Sequence, residues 1–340
     1  MSKVYFKKYK GSDTEILSKI GKELLANIIN TESIKLEKNI PIKVHFGEKG
    51  NTTFVPASCY NGIIDYLEEN DINSKFIETN VLYRGSRTTR DSHINLAKEH
   101  GFTRLPIIIA DGDMGEAVHE VTINKKYFDK VKLGAAYEDY NQILVISHFK
   151  GHGLAGFGGA LKQLAMGFAS RSGKMAQHSV LSPTVNGDKC ISCGLCVKKC
   201  DVDAIEIKDF AIIDDKKCVG CAGCIAVCPV GAIANDWGAM NFREKVAEYA
   251  YGAQLNKNHI YISFMMNITK ECDCMGQHMD PIAENFGVFA SLDPVAMDSA
   301  CLDILQNESD KKLFENGRET LLHCKEIGFS SGNYELIEIK

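Results

Sequence analysis

Two runs of four cysteines carry the clearest chemistry in this sequence. The first run is Cys190, Cys193, Cys196 and Cys200, and the second is Cys218, Cys221, Cys224 and Cys228. Both have the spacing C-x2-C-x2-C-x3-C, which is typical of thiolates that hold cubane iron–sulfur clusters. The runs begin 28 residues apart and are followed by similar residues, which indicates an internal duplication. Structural zinc is the alternative, but its usual two separated cysteine pairs match this spacing poorly.

Residues 184–235, which contain both runs, resemble the two-cluster, eight-iron ferredoxin module. In that module the fourth cysteine of each run reaches the other cluster. The resemblance implies that one 4Fe-4S cluster is held by Cys190, Cys193, Cys196 and Cys228. It implies that the second 4Fe-4S cluster is held by Cys218, Cys221, Cys224 and Cys200. We therefore expect the protein to handle electrons.

Composition limits the classes of partner and compartment. The chain has 340 residues, 45% of them hydrophobic, which predicts two domains with a sizeable core. Its net charge of -5 argues against a nucleic-acid partner, and no apolar run is long enough to predict a membrane span. Thirteen cysteines in a chain whose start lacks an apolar signal region predict reduced thiols and a cytoplasmic location. The sequence leaves the oligomeric state unknown.

Strand and helix patterns alternate on both sides of the cysteine runs. Before the runs, strands are predicted at 3–9, 40–46, 75–78, 106–110 and 143–147, and a capping box at Ser12-x-x-Glu15 is predicted to open the first helix. After them, helices are predicted at 241–255, 294–305 and 310–326, and strands at 260–266, 288–290 and 334–339. This alternation predicts an α/β fold with a mostly parallel sheet flanked by helices. We interpret residues 1–183 and 236–340 as one discontinuous domain with an α+β module, 184–235, inserted; three consecutive domains are the alternative.

Reactive side chains follow several of these predicted strands. They include His45 and Glu48, Glu78, Asp111, His148 and His152, Cys272 and Cys274, and Asp293. In open α/β sheets, ligands bind beyond the carboxyl ends of the strands. We therefore expect these side chains to converge on one edge of the sheet and to form a shared site.

Several loops, taken together, resemble a known family. They are residues 45–50, 147–152, 156–162, 166–174, 272–276 and 290–296. As a set they resemble the uncharacterised iron–sulfur centre proteins of domain of unknown function 362. The resemblance covers nearly the whole chain and implies the architecture, including the inserted two-cluster module. It implies no particular reaction.

A glycine-rich segment precedes one predicted helix. Gly156, Gly158 and Gly159 come just before a helix that carries Lys162. Bare amides at a helix N-terminus with a nearby lysine suit a phosphate, such as that of a flavin mononucleotide. A tight strand-to-helix turn that needs small residues is an equally good interpretation.

The histidines and the second cysteine pair allow several roles. His148 and His152 are expected in a loop, where they could bind a metal together with Cys272 or Cys274, or exchange protons. Backbone-bonded loop histidines are the alternative. Cys272 lies between two carboxylates in sequence, which should disfavour its thiolate unless a cation is bound. Metal ligation and a redox-active or structural thiol pair therefore both stay open.

The sequence favours an oxidoreductase in which two clusters pass electrons to the strand-end site. His148, His152, Lys162, Cys272 and Cys274 are the candidate catalytic residues, and Gly156, Gly158 and Gly159 the candidate cofactor-binding residues. A flavin or an additional metal would be a further cofactor, and the partner a redox protein or a small-molecule substrate. A non-enzymatic electron carrier or a cluster maturation protein is the alternative. A redox-sensing nucleic-acid binder ranks last, because the sequence has no basic patch.

Overall fold

The computed structural model describes residues 1–178, 182–235, 240–309 and 312–340. Its strands are β1 (Ser2–Lys8), β2 (Ile42–Lys43), β3 (Phe76–Glu78), β4 (Ile107–Ile109), β5 (Val118–Thr122), β6 (Lys130–Gly134), β7 (Leu144–His148), β8 (Lys150–His152), β9 (Gly156–Gly158), β10 (Thr184–Val185), β11 (Ile205–Ile207), β12 (Ala211–Ile213), β13 (Ile233–Ala234), β14 (Ile260–Met265), β15 (Gly287–Ser291) and β16 (Tyr334–Glu338). Its α-helices are α1 (Thr14–Thr31), α2 (Asn61–Glu69), α3 (Arg90–Glu99), α4 (Ala160–Phe168), α5 (Arg171–His178), α6 (Leu195–Lys199), α7 (Gly223–Val227), α8 (Phe242–Gln254), α9 (Pro294–Glu308) and α10 (Arg318–Glu326). None of these helices is long and apolar enough to cross a membrane.

One large sheet organises the chain. Its eight strands lie in the order β16-β1-β15-β14-β7-β2-β3-β4. All neighbours pair in parallel except at β15, which runs antiparallel to both β1 and β14. The predicted fold class, α/β with a mostly parallel sheet flanked by helices, is therefore confirmed.

Helices cover both faces of the sheet, because alternate residues of a strand point to opposite faces. On β7, Val145 packs into the core that α4, α8 and α9 complete. Its neighbours Leu144 and Ile146 pack into the other core, with α1 and α2. The central strands are buried on both faces, so β7 and β14 are mainly apolar, and β7 ends in His148.

The sheet draws its strands from both sides of the cysteine runs. Strand β7, which precedes the runs, pairs in parallel with β14, which follows them, with Val145 opposite Tyr261. This pairing places residues 184–235 as an excursion between two neighbouring strands of one sheet. The bounds 1–183, 184–235 and 236–340 of the two predicted domains stay a prediction.

Residues 184–235 repeat one backbone path twice. Helices α6 and α7 begin 28 residues apart, at Leu195 and Gly223. Left-handed backbone recurs at the same interval in three pairs: Ser192 and Gly220, Gly194 and Ala222, and Asp203 and Gly231. The two small sheets obey the same shift, since β10 pairs with β13 in the register in which β12 pairs with β11. The duplication seen in the cysteine spacing is thus also a duplication of structure.

Three local predictions are wrong or incomplete. The capping box at Ser12 is not formed; Asp13 caps α1 instead, accepting hydrogen bonds from the amides of Glu15 and Ile16. The helix predicted from 310 begins only at Arg318, while residues 310 and 311 lie outside the described part of the chain. The hairpins β5–β6 and β8–β9 and helix α5 were not predicted, because their short segments lack a clear hydrophobic period.

Candidate functional site

Several cysteines of residues 184–235 lie within electrostatic reach of one another, both within a run and between the runs. Cys196 lies close enough to Cys190 and Cys193 to interact with their charges. Cys218 lies in the same way near Cys221 and near Cys200, which belongs to the first run. The proximity of Cys200 to the second run is the arrangement that the two-cluster interpretation requires.

Backbone amides point at the sulfur atoms of several of these cysteines. The amide of Ala204 donates to Cys200 Sγ at 3.3 Å, and at the repeated position the amide of Ala232 donates to Cys228 Sγ at 3.2 Å. A bond from Ala211 lowers the pKa of Cys190. These bonds stabilise thiolates, the form that binds metal.

Burial acts against ionisation of one thiol in the second run. Burial raises the pKa of Cys224 to about 12, so this thiol needs a bound cation to ionise at neutral pH. Within the described ranges, the one group of three or more metal-type side chains with ligand atoms all within 4.8 Å of one another is Glu244, His323 and Glu326. No three sulfur atoms of the described cysteines all lie within that distance of one another.

The second cysteine run lies against the large domain. Leu82 and Met175 share a buried apolar cluster with Cys224, Ile225 and other residues of the module. Cys221 lies close enough to Arg171, at the start of α5, for the two side chains to interact electrostatically. Leu82 also lines a cavity of the large domain, so the two candidate sites share a wall.

The cavity lies beyond the carboxyl ends of β2, β3, β7 and β14. It has a volume of about 530 Å³ and continues into an inner recess of about 70 Å³. Lys162, Lys174, Cys272 and Cys274 line both parts. The recess is also lined by His45, Glu78, His148 and Lys150, and the outer part by His152. The structure therefore brings together His45, Glu78, His148, His152, Cys272 and Cys274, as the sequence predicted. Glu48 and Asp111 do not line the cavity; Glu48 pairs with Arg87, and the buried carboxylate of Asp111 accepts the amide of Asn80 at 2.8 Å.

Asp293, another of the predicted strand-end residues, lies at a different edge of the sheet. Asp293 follows β15, and β15 runs opposite to its neighbours, so its carboxyl end lies at the other edge of the sheet. There Asp293 caps α9 by accepting the amides of Val295 and Ala296, and it also accepts the hydroxyl of Ser2 at 2.7 Å. Its expected place in the shared site is wrong, because one strand direction was not readable from the sequence.

Cys272 and Cys274 form the reactive centre of the cavity wall. The thiol of Cys274 donates to Cys272, and the ammonium of Lys162 lies 3.7 Å from Cys272 Sγ. Both effects outweigh burial and hold the pKa of Cys272 well below its ordinary value. The same thiol–thiol bond raises the pKa of Cys274, which keeps its proton. The pair thus combines a thiolate with a neighbouring thiol.

The expectation that two carboxylates would keep Cys272 from ionising is wrong. Asp273 turns away and pairs with Lys150 at 3.1 Å and His148 at 2.8 Å. Glu271 turns to the cavity rim, where it accepts the amide of Gly153 at 3.1 Å. The carboxylate charges are therefore compensated, and Lys162 dominates the surroundings of the Cys272 sulfur.

His148 is a structural anchor in this geometry. It is buried at the end of β7, and not in a loop as expected. One ring nitrogen lies 2.8 Å from Asp273 Oδ2 and the other 2.6 Å from the carbonyl oxygen of Met266. Both nitrogens have partners, which favours positioning of the Cys272 loop over metal ligation or proton transfer by this side chain.

His152 presents a donor to the cavity. It lies in β8, also not in a loop, and its Nδ1 accepts the amide of Ala155 at 3.0 Å. Burial and the charge of Lys162 lower its pKa well below the ordinary value, so the ring is neutral. A neutral ring that accepts at Nδ1 carries its proton on Nε2 and offers a hydrogen bond rather than a lone pair.

The glycine-rich segment favours the tight-turn interpretation over the phosphate site. Helix α4 does follow it and carries Lys162, as predicted. Its first two amides, of Ala160 and Leu161, donate to the buried carboxylate of Asp298 at 2.8 and 2.9 Å. A Cβ at Gly159 would lie 2.4 Å from Asp298, and one at Gly156 would lie 2.3 Å from the amide nitrogen of Gly317. The glycines make room for protein atoms, and cofactor binding by Gly156, Gly158 and Gly159 stays a prediction.

Sequence reasoning missed part of the cavity. Arg87 is buried and lies 3.1 Å from Glu48, 2.6 Å from the Tyr83 hydroxyl and 3.0 Å from His45 Nε2. Lys174 on α5 donates to Thr79 and to a backbone carbonyl. Arg87 and Tyr83 lie in a connection without periodic pattern, so no sequence signal pointed to them.

The chain matches the family described as domain of unknown function (DUF362) over residues 40–303. It belongs to this family. The cavity of this DUF362 protein is built within the matched residues, as are both cysteine runs. No curated protein matches the chain.

Two solved structures are similar to this DUF362 chain at low identity. One is a structural-genomics target from Thermotoga maritima, which is 10% identical and superimposes with a TM-score of 0.44. The match covers 94% of the present chain and 61% of the Thermotoga chain. The other is the lactate racemase apoprotein from Thermoanaerobacterium thermosaccharolyticum, 13% identical with a TM-score of 0.45, covering 89% and 58%. The chain thus spans about three fifths of either protein.

Proposed function

We propose that this protein is an iron–sulfur oxidoreductase whose module passes electrons to a thiol pair in the cavity of the α/β domain. The observation that carries the proposal is a duplicated cysteine scaffold packed against that cavity through Leu82 and Met175. When bound, two 4Fe-4S clusters would supply one-electron transfer.

Each cluster would take three cysteines from one run and one from the other. Cys190, Cys193, Cys196 and Cys228 would hold the first, and Cys218, Cys221, Cys224 and Cys200 the second. The proximity of Cys200 to Cys218 supports this exchange, and the amide–sulfur bonds at Cys200 and Cys228 support ligation as thiolates. The second set lies against the large domain, since Cys221 is within electrostatic reach of Arg171 and Cys224 shares an apolar cluster with Leu82, which lines the cavity.

Cys272 and Cys274 would be the end point of the electrons. A disulfide between them takes up two electrons and one proton to become the Cys272 thiolate and the Cys274 thiol, so the pair matches two one-electron carriers. Lys162 would stabilise the Cys272 thiolate, and His152 would offer a hydrogen bond to a substrate. A flavin or an additional metal in the cavity, and a redox partner protein at the module, stay predictions.

The cavity supports an enzyme over a pure electron carrier. A carrier needs no cavity lined by reactive side chains, and the strand-end edge of such a protein would be filled by apolar packing. Here the same edge holds lysines, histidines and thiols around about 530 Å³ of open volume. A reducing compartment such as the cytoplasm suits the thiol pair and the thiolate ligands.

The deciding experiment is anaerobic purification with quantification of iron, sulfide, other metals and flavin. We expect about eight irons and eight sulfides per chain, with low-temperature electron paramagnetic resonance signals after reduction. Cys272 and Cys274 should then become alkylable only after the clusters are reduced, if electrons reach their disulfide. A colourless, iron-free chain overturns the proposal. If the chain holds eight irons but the thiol pair does not change redox state, the electron-carrier function is favoured.

A further inference from the structure

The cations of the cavity fall into two kinds. Arg87 pairs with Glu48 at 3.1 Å and Lys150 pairs with Asp273 at 3.1 Å, so their charges are balanced within the protein. Lys162 and Lys174 line both parts of the cavity, yet among the described residues neither has a carboxylate oxygen within 4.0 Å. Lys162 has the Cys272 thiolate as its anionic neighbour, and Asp111 and Glu78 act on Lys174 from beyond ion-pair distance. Since neither ammonium group has a carboxylate in direct contact, a further anion would stabilise both.

The partners of these two lysines leave room for such an anion. Lys174 spends two donors, on the Thr79 hydroxyl at 2.5 Å and the Ala169 carbonyl at 2.6 Å, and an ammonium has three. Among the described residues, the hydrogen-bond partner of the Lys162 ammonium is Cys272 Sγ, at 3.7 Å. Both groups therefore retain donors that face the open volume.

The carboxylates that line the cavity do not repel an anion strongly. Glu78 forms a buried ion pair with Lys43 at 2.9 Å. Glu271 lies at the rim and is held by the amide of Gly153. The cavity therefore presents the two lysines, with the Cys272 thiolate beside Lys162 and Asp111 acting on Lys174 from behind the wall.

The remaining wall is apolar. Val81, Leu82, Leu154, Met166 and Met275 line the outer part. A volume of about 530 Å³ lies within the ordinary range for a site that encloses a small organic ligand. An inorganic anion would leave this wall without a contact.

We infer that the cavity binds an organic anion with an apolar body, its charged group on Lys162 and Lys174 and its body against the methionine and leucine wall. This inference rests on the proposed function, because it names the substrate class of the same site. It places the charged group of the ligand beside the Cys272–Cys274 pair.

The test uses the full-length, anaerobically purified protein and three probes of known composition. They are 2-naphthoate, its uncharged isostere 2-naphthamide, and acetate, and their dissociation constants are measured by isothermal titration calorimetry. We expect naphthoate to bind roughly tenfold or more tightly than either other probe, because only it satisfies both the lysines and the apolar wall.

Variants separate the two halves of the recognition. Lys162→Met or Lys174→Met should weaken naphthoate binding roughly ten- to hundredfold and change naphthamide binding little. Lys125→Met is the matched control, since Lys125 bonds the Ile327 carbonyl outside the cavity and its loss should leave all three constants unchanged. Met166→Gln should weaken naphthoate and spare acetate.

Three outcomes overturn the inference: equal affinity for naphthoate and naphthamide, equal affinity for naphthoate and acetate, or no binding of naphthoate at millimolar concentration. The probe comparison on the unmodified protein stands even if a variant fails to fold. Iron measured in the same samples keeps the two proposals apart. An iron-free chain that selects naphthoate refutes only the redox function, whereas an eight-iron chain without selectivity refutes only the ligand class.

Discussion

Burial and hydrogen bonding have opposite effects on the pKa of Asp298, which lies at the start of α4. Its carboxylate is buried and accepts the amides of Ala160 at 2.8 Å and Leu161 at 2.9 Å. These bonds and the positive end of the helix favour the charged form, whereas burial disfavours it. Burial has the larger effect and raises the pKa of Asp298 from its ordinary 3.8 to about 7. Asp298→Asn keeps the size of the side chain and removes its titration.

The sign of the pH effect follows from that direction. A carboxyl group whose pKa rises on folding contributes stability that is fully present below its unfolded value of 3.8 and is lost as the pH rises through about 7. A shift of about three pKa units corresponds to about 4 kcal/mol in all. About 2 kcal/mol of this is lost between roughly pH 5.5 and pH 8.

The assay is anaerobic urea unfolding of the wild type and Asp298→Asn at both pH values. The difference between the two proteins cancels the other titrating groups, and the wild type should lose about 2 kcal/mol relative to the variant at the higher pH. Ser299→Ala, a non-titrating change on the same helix, should show a pH-independent difference. A wild-type advantage that stays constant or grows at pH 8 would refute the reasoning, because the amide bonds would then outweigh burial.

Three further substitutions test the scaffold. Cys200→Ser should lower the iron content from about eight to about four per chain in a colorimetric assay, because it removes a ligand that lies beside the second run. Lys43→Met should lower the free energy of unfolding by roughly 3–5 kcal/mol, since it leaves Glu78 charged and unpaired in the core. Gly159→Ala should cost roughly 1–3 kcal/mol, because its Cβ would meet Asp298.

Each of these predictions has its own control. For the cluster ligand, Cys324→Ala is the control and should retain all the iron. If Cys324→Ala and Cys200→Ser lost equal amounts of iron, Cys200 would have no specific role as a ligand. For the ion pair, the control is the double variant Lys43→Met with Glu78→Gln. It should recover part of the stability lost in Lys43→Met, and the absence of any recovery would contradict the ion-pair argument. Gly153→Ala should cost little, because its Cβ would meet the flexible, rim-exposed carboxylate of Glu271.

The confirmed part of the fold was readable because it depends on local pattern. Alternating apolar runs and helical periods predicted an α/β sheet, and strand ends predicted where reactive side chains would gather. The repeated cysteine spacing predicted a duplicated module, since the positions of Cys196 and Cys224 fix tight loops within a few residues. These signals lie within short stretches of sequence.

Long-range pairing decided the rest. Because β15 is antiparallel, Asp293 lies at the opposite edge of the sheet. The free amides at the start of α4, which predicted a phosphate, instead bind the carboxylate of Asp298, 138 residues away. His148 lost its expected role because Asp273, 125 residues away, holds it. The sequence by itself determined which residue types are available at the strand ends and in the repeated loops. Only the tertiary structure decided which of them are neutralised by a distant partner and which, like Lys162, still face the cavity, because ion pairs and caps form between segments whose spacing along the chain carries no pattern.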